Sequence, residues 1–345
     1  MKFTQYPPLL FDGPIGRCGI ALSFDGRWLV TTRGSAVDIY DLHNPAKPDL
    51  AESCEQKNIG YPTFAPDGML FCGHKSFDFN TFKWKRRFLP KGPSSRHLND
   101  MIWLDDGRFV LSSGCVEVGV YSPDGDSYSL DVISESKDPG RDARMTASPD
   151  GTAVAVGGGD WVFVFDTKTG KYLKRLPKKK VYGLLCPVWG EEGLFYVDEH
   201  PDSLPLPGRE IVRITLAERL GKKKFADLRH FDVHENVSVT GLMLGAGGAH
   251  LYATYTGNVH GSEALRAMLR DGDVESKERL NDVLEESLAR SSQHVLVVWD
   301  VASGESLHVE ALGQVSSVND YAISGDQKRI AFAGHHNIVI VDVHE

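Results

Sequence analysis

The run Ser148-Pro149-Asp150-Gly151-Thr152-Ala153-Val154-Ala155-Val156-Gly157, followed closely by Trp161-Val162-Phe163-Val164-Phe165-Asp166-Thr167-Lys168-Thr169-Gly170-Lys171, decides the fold. Asp150-Gly151 marks a tight hairpin turn, because glycine reaches positive φ without a steric cost. The two apolar stretches are short, bounded by turn residues and rich in valine and aromatics, so they read as strands covered on both faces. The polar stretch Asp166 to Lys171 then turns the chain into one further strand.

The same punctuation recurs along the chain. It appears as Phe24-Asp25-Gly26, Ala65-Pro66-Asp67-Gly68, Leu104-Asp105-Asp106-Gly107 and Gly190-Glu191-Glu192-Gly193. The glycines at 26, 68, 107, 151 and 193 are 42, 39, 44 and 42 residues apart. A sixth repeat centres on Ala246-Gly247-Gly248 and a seventh on Ser324-Gly325-Asp326. Strands such as Val37-Asp38-Ile39-Tyr40-Asp41 and Val295-Leu296-Val297-Val298-Trp299-Asp300 follow the turns, and the polar turn after Asp166 has a counterpart in Asp300 to Glu305. Four antiparallel strands per period of about forty residues predict propeller blades, and β-branched runs with Asp-Gly turns do not fit a helical repeat.

With Trp299-Asp300 closing one repeat and Tyr-Asp or Phe-Asp closing others, the chain resembles the WD-repeat propeller family over nearly its whole length. No Gly-His dipeptide precedes the innermost strands. The expectation is an all-β, single-domain, seven-bladed β-propeller of four-stranded antiparallel blades spanning 1–345. Its last repeat, through Asn337 to Val343, lacks an outer strand, and residues 1–11 are expected to supply it, closing the ring so that no sheet edge is left at the seam.

Two repeats are longer than the rest. In the fifth, Glu199 to Gly208 separates Tyr196-Val197-Asp198 from the strand at Ile211; in the sixth, residues 256–293 intervene between Tyr255 and His294. Both excesses fall between second and third strands. The resemblance implies that such loops open on the top face, beside the connections between blades, and insertions in repeat proteins tend to mark the binding face. Residues 256–293 are predicted to be a helical insertion in blade 6: Leu265, Met268 and Leu269 follow a cap at Ser262, and after Gly272 a second stripe runs through Leu280, Val283, Leu284 and Leu288. The stripes need a cover, from each other and the rim or from another protein.

Charge and composition narrow the function. With 38 Lys+Arg against 47 Asp+Glu the formal net charge is −9, which opposes non-specific attraction to phosphate backbones. The short basic runs Lys83 to Arg87, Lys178 to Lys180 and Lys222 to Lys224 read as solvated loops. The five cysteines are scattered, with no Cys-x-x-Cys, so neither a disulfide framework nor a zinc knuckle is suggested. Met1 to Pro8 lacks the apolar run of a secretory signal, and no segment approaches bilayer-spanning length; the expected compartment is the cytoplasm, with neither nucleic acid nor membrane as partner.

The expected role is a non-catalytic platform, or a scaffold or adaptor subunit, holding another protein on the top face. Candidate contacts are His200 and Asp202 in the shorter insertion, the seven apolar residues just named in the longer one, and Asn99, Asp100, Arg144, Tyr182, Asn319 and Asp320 near the starts of inner strands. The alternative is a metal-dependent lactonase-type or hydrolase propeller, with His74, His200, His260, His335 or His336 converging at the channel mouth. No spaced metal motif or nucleophile elbow supports it, so no cofactor or metal is expected, and nothing in the sequence argues for a small molecule at the mouth. Gly157-Gly158-Gly159 lacks the lysine and helix of a phosphate loop and reads as a strand connection. Asp38, Asp78 and Asp160 read as residues that satisfy turn amides.

Overall fold

The computed structural model describes residues 2–11, 18–55, 61–72, 75–86, 98–104, 106–113, 118–124, 127–133, 144–158, 161–176, 187–199, 212–219, 225–231, 237–257, 293–312, 315, 318, 320–334 and 336–344. They form seven antiparallel sheets arranged as a β-propeller. Blade 4 carries the reference run: Arg144–Ala147, Ala153–Gly158, Trp161–Asp166 and Tyr172–Leu176 pair in sequence order. The other innermost strands are Cys18–Leu22, Thr63–Phe64, Leu98–Trp103, Val188–Gly190, Val237–Leu244 and Asp320–Ile323, in blades 1, 2, 3, 5, 6 and 7. These first strands approach their counterparts in adjacent blades, including blade 7 against blade 1, which sets them around the axis.

The core lies between blades. Val30, Val37, Ile39, Leu70, Cys72 and Phe77 fill the space between blades 1 and 2; Val154, Val156, Phe163 and Phe165 meet Val110, Val118 and Val120 of blade 3. A strand sandwiched by a neighbour on each side must be apolar on both faces, which is why Ala153–Gly158 reads as a continuous apolar run and not as an alternation.

One turn design recurs at the lower end of the blades. The N–H of Gly26, Gly68, Gly107 and Gly151 donates to the carbonyl three residues earlier, and each of these glycines has φ between 62° and 81°. The aspartate just before accepts from the N–H just after, as in Met69 N–H to Asp67 Oδ1 at 3.0 Å. Blade 7 departs from the sequence expectation: the left-handed residue there is Gln327, at φ 60°, not Gly325. Gly325 is small for another reason, since the ring of Phe24 lies where its Cβ would be.

Ring closure is as expected. Lys2–Gln5 pairs antiparallel with Asn337–His344, in register from Lys2↔His344 to Gln5↔Val341, and Leu9–Leu10 pairs with the start of the same strand beyond Pro7-Pro8. Phe3 is buried, and the Tyr6 hydroxyl donates to Asp342 Oδ2 at 2.8 Å. Arg329 completes the latch: it holds Asp342 through Nε at 2.6 Å and donates through Nη1 to the Gly26 and Leu42 carbonyls of blade 1 at 2.8 and 3.3 Å.

Two further sequence expectations change, and a third falls outside the described residues. In blade 6 the strands His250–Gly257 and Gln293–Asp300 stay paired as far as Gly257↔Gln293, so Thr256, Gly257 and Gln293 belong to the sheet; β-branched Thr256 continues the ladder naturally. The predicted helices, with Leu265, Met268, Leu269, Leu280, Val283, Leu284 and Leu288, lie outside the described residues, and among the described residues the only helical element is the single 3₁₀ turn Ala246–Gly248, so the helical insertion has no support there. Asp38 is not a turn cap: its buried carboxylate takes the Arg33 guanidinium, through Nε at 2.9 Å, and the Ser53 hydroxyl at 2.6 Å, across three strands of blade 1. Asp78 does cap a turn, while Asp160 lies outside the described residues.

Candidate site at the channel mouth

Counting back four residues from the residue that opens each lower turn reaches the same level of the inner segment in each blade. From Ser23, Ala65, Leu104, Ser148, Gly245 and Ser324 that count gives Gly19, Tyr61, Asp100, Arg144, Gly241 and Asp320. Six blades therefore present structurally equivalent residues to the mouth, and three of them carry charge.

Two of these positions are glycine because a neighbour takes the space. A Cβ on Gly19 would stand 2.6 Å from Cδ1 of Tyr61 and 2.7 Å from Cδ of Pro62, and the Tyr321 ring fills the equivalent space at Gly241. The Tyr61 ring, laid toward blade 1 in this way, offers a face to Arg144, whose guanidinium carbon is 3.8 Å from the ring centroid. Arg144 forms an ion pair with Asp320 Oδ1, and its Nη1 is 4.0 Å from Asp100 Oδ1. Blade 4 stands opposite blade 7, so Arg144 reaches across the channel and ties blades 2, 3, 4 and 7 together.

Each carboxylate also fastens two blades. Asp100 accepts the N–H of Met101 at 3.0 Å and that of Met145, in blade 4, at 2.8 Å. Asp320 does the same one seam further round, accepting from Tyr321 and from Ile20 of blade 1, both at 2.8 Å. Thr146 repeats the device with a neutral acceptor, taking the N–H of Trp189 in blade 5 at 3.1 Å. Burial pushes the Asp100 carboxyl above the ordinary carboxylate value, while Arg144 and the two amides pull the other way. The Asp320 side chain is fully buried, whereas Arg144, stacked on Tyr61, keeps 21% of its side chain exposed, so of this pair the arginine is the member open to solvent.

Of the sequence candidates, the structure gathers Asp100, Arg144 and Asp320 into one cluster. Asn99 lies beside them in Leu98–Trp103, where only its backbone is described. Tyr182, Asn319, His200 and Asp202 lie outside the described residues, as do His74, His260 and His335. Tyr61 was not singled out from the sequence; it sits on a loop just before a two-residue strand, and only the four-residue count back from Ala65 would have found it. Among the described residues no group of three or more His, Cys, Asp or Glu is arranged to hold a metal ion.

The two long connections can be located by their stems. Gly257 pairs with Val237, the first residue of its inner strand, and with Gln293; in blade 5 the stem ends at Glu199↔Val212, beyond the start of Val188–Gly190. Both stems therefore end on the side of the ring where Asp100, Arg144 and Asp320 lie, on adjacent blades.

No protein-family model matches the chain, and a comparison with curated proteins finds no match. Solved structures do match. One, a chain in a crystal structure of the mitotic checkpoint complex, covers 100% of this chain and 94% of its own length, at a TM-score of 0.65 and 11% sequence identity. At that identity the likeness is one of fold.

Proposed function

We propose that this protein is a non-catalytic interaction platform, a divergent WD-repeat-type propeller that holds another protein on its upper face, in the cytoplasm. The observation that carries the reading is the shared end of the ring: the stems of both long connections emerge on neighbouring blades beside the polar mouth. A closed ring of paired sheets gives such a face rigidity, which suits recognition by loops. The mouth carboxylates support a binding role over an acid–base role, because their oxygens already accept inter-blade amides and a guanidinium. That a propeller of the same fold stands within a multiprotein complex agrees with the reading by analogy.

The test replaces residues 258–292 with a short Gly/Ser linker. The stems remain paired through Gly257↔Gln293, and loop length changes closure entropy only slowly, so the ring is expected to fold. Affinity capture with quantitative mass spectrometry should then show loss of the proteins that the full chain enriches. Equal enrichment by both proteins removes the segment from the binding face. A stoichiometric metal ion in the purified full chain would instead favour a metal-dependent enzyme.

A further inference from the structure

The seam between blades 1 and 2 carries two thiols near its upper end, one from each side. Cys54 belongs to Asp49–Glu55, the outermost strand of blade 1; it stands directly opposite Val37 and so shares the face that Val37 turns to blade 2. Cys72 ends Leu70–Cys72, the second strand of blade 2, and pairs with Lys75 across the upper hairpin. Cys72 is part of the apolar fill of the seam, Cys54 packs against that fill, and both thiols are free.

Electrostatics tie the two together. Cys54 raises the pKa of the Cys72 thiol, and the Lys75 ammonium, on the residue facing Cys72, lowers that of Cys54. The two thiols differ in access: Cys72 is fully buried, whereas Cys54 is half-buried. Burial pushes both above the ordinary thiol value, but on Cys54 the Lys75 ammonium works against burial more than either Glu52 or Asp38 works with it. An oxidant arriving from solution therefore meets Cys54 first, and Cys72 stays a thiol until its neighbour has reacted.

From this juxtaposition we infer that Cys54 and Cys72 are a modification site, a reversible disulfide across the seam between blades 1 and 2 with hydrogen peroxide as the oxidant. The Cys54 thiolate attacks peroxide, the O–O bond breaks, and the released hydroxide takes up the proton that the thiol gave and becomes water, leaving a sulfenic acid. The Cys72 sulfur then attacks the Cys54 sulfur, the S–O bond breaks, and the departing hydroxide takes the Cys72 proton and leaves as water. Two thiols are oxidised by two electrons, and one peroxide is reduced to two waters. A disulfide needs its Cα atoms about 4.4–6.8 Å apart. The outermost strand of blade 1 is the element that can adjust, because it has a hydrogen-bonded neighbour on one side only. The bond would tie the rim of blade 1 to blade 2 and does not depend on what the upper face binds.

The experiment uses the full chain, reduced, freed of reductant and exposed to a small excess of hydrogen peroxide in native buffer. Remaining thiols are alkylated, and unreduced digests are mapped by mass spectrometry. A Cys54–Cys72 cross-linked peptide is expected, lost on treatment with dithiothreitol and at least about tenfold more abundant than any other cysteine pairing, since geometry selects the partners. With dimedone present to trap sulfenic acid, Cys72→Ser should carry at least about tenfold more adduct on Cys54 than the unaltered chain, because no resolving thiol remains. Cys54→Ser should leave Cys72 reduced at the same dose. Should a variant fail to fold, the map of the unaltered chain decides alone. Absence of the Cys54–Cys72 peptide, other pairings in equal abundance, equal dimedone adduct in folded Cys72→Ser and the unaltered chain, or oxidation of Cys72 in folded Cys54→Ser would each overturn the site.

Discussion

Arg144 and Asp320 form a pair whose worth depends on where each end sits. The Asp320 side chain is fully buried, so removing its partner strands a charge in the protein, whereas Arg144 is partly exposed and keeps some of its hydration. Arg144→Met and Asp320→Asn are each expected to destabilise by about 2 kcal/mol, with a coupling of about 1 kcal/mol in the double variant, measured by chemical denaturation. Additive losses would mean that the cross-channel pair contributes nothing of its own. Asp78 makes a different case, because its carboxylate is only partly buried and takes its donors from one turn and the adjoining strand. The Lys85 ammonium and the amides of Asn80 and Thr81 hold it at about 2, below the ordinary 3.8. A depressed carboxyl favours the folded state above its unfolded value and loses that advantage as pH falls through the folded one. The stability difference between the protein and Asp78→Asn should therefore hold at neutral pH and vanish between about pH 4 and about pH 2. A difference unchanged at pH 2 would contradict the assigned shift.

The closing strand shows how an element of a few residues can matter to the whole ring. Lys2–Gln5 covers the edge of Asn337–His344, buries Phe3 and places Tyr6 on Asp342. Burying one phenylalanine is worth about 2–3 kcal/mol, and the uncovered strand would offer a row of unpaired amides and carbonyls to other chains. Removing residues 1–11 is expected to lower the melting temperature or cause aggregation, read by calorimetry and size-exclusion chromatography. An unchanged, monomeric melting transition would show that the seam is held without the closing strand, by Arg329, the Asp320–Ile20 tie and the packing of blade 7 on blade 1. The turns are a second element-scale device: one aspartate-capped turn joins first and second strands and another joins third and fourth, and where other blades have a left-handed glycine the first has Gln327 in blade 7 and the second has Phe82 in blade 2.

At the scale of the molecule, stability is divided among interfaces between neighbouring blades, fastened by single polar ties at the mouth and by Arg329 at the seam. Connections that leave paired stems can then vary in length without disturbing the core. The 258–292 linker variant should for this reason melt in one transition near that of the full chain, whatever its effect on capture. A large drop would mean that the segment packs on the ring as part of the fold.

The number of blades, their strand order and the closure by the first residues were legible in the sequence, because each rests on local patterns: turn residues at a fixed period and apolar runs of strand length. Asp100, Arg144 and Asp320 were legible as residues near the starts of inner strands. Their meeting was not, since Arg144 finds Asp320 only when blade 4 faces blade 7 across a channel narrow enough for one side chain to span. Asp38 looked like a turn cap and became a buried partner of Arg33 and Ser53, because cross-strand register, not proximity in the chain, supplied its donors. Phe82 reads in sequence as one more aromatic; its left-handed backbone emerges only when its turn is laid over those of Gly170 and Gly304. Local chemistry determined the blades, and the ring determined which side chains meet, because those contacts join residues that only closure brings within reach.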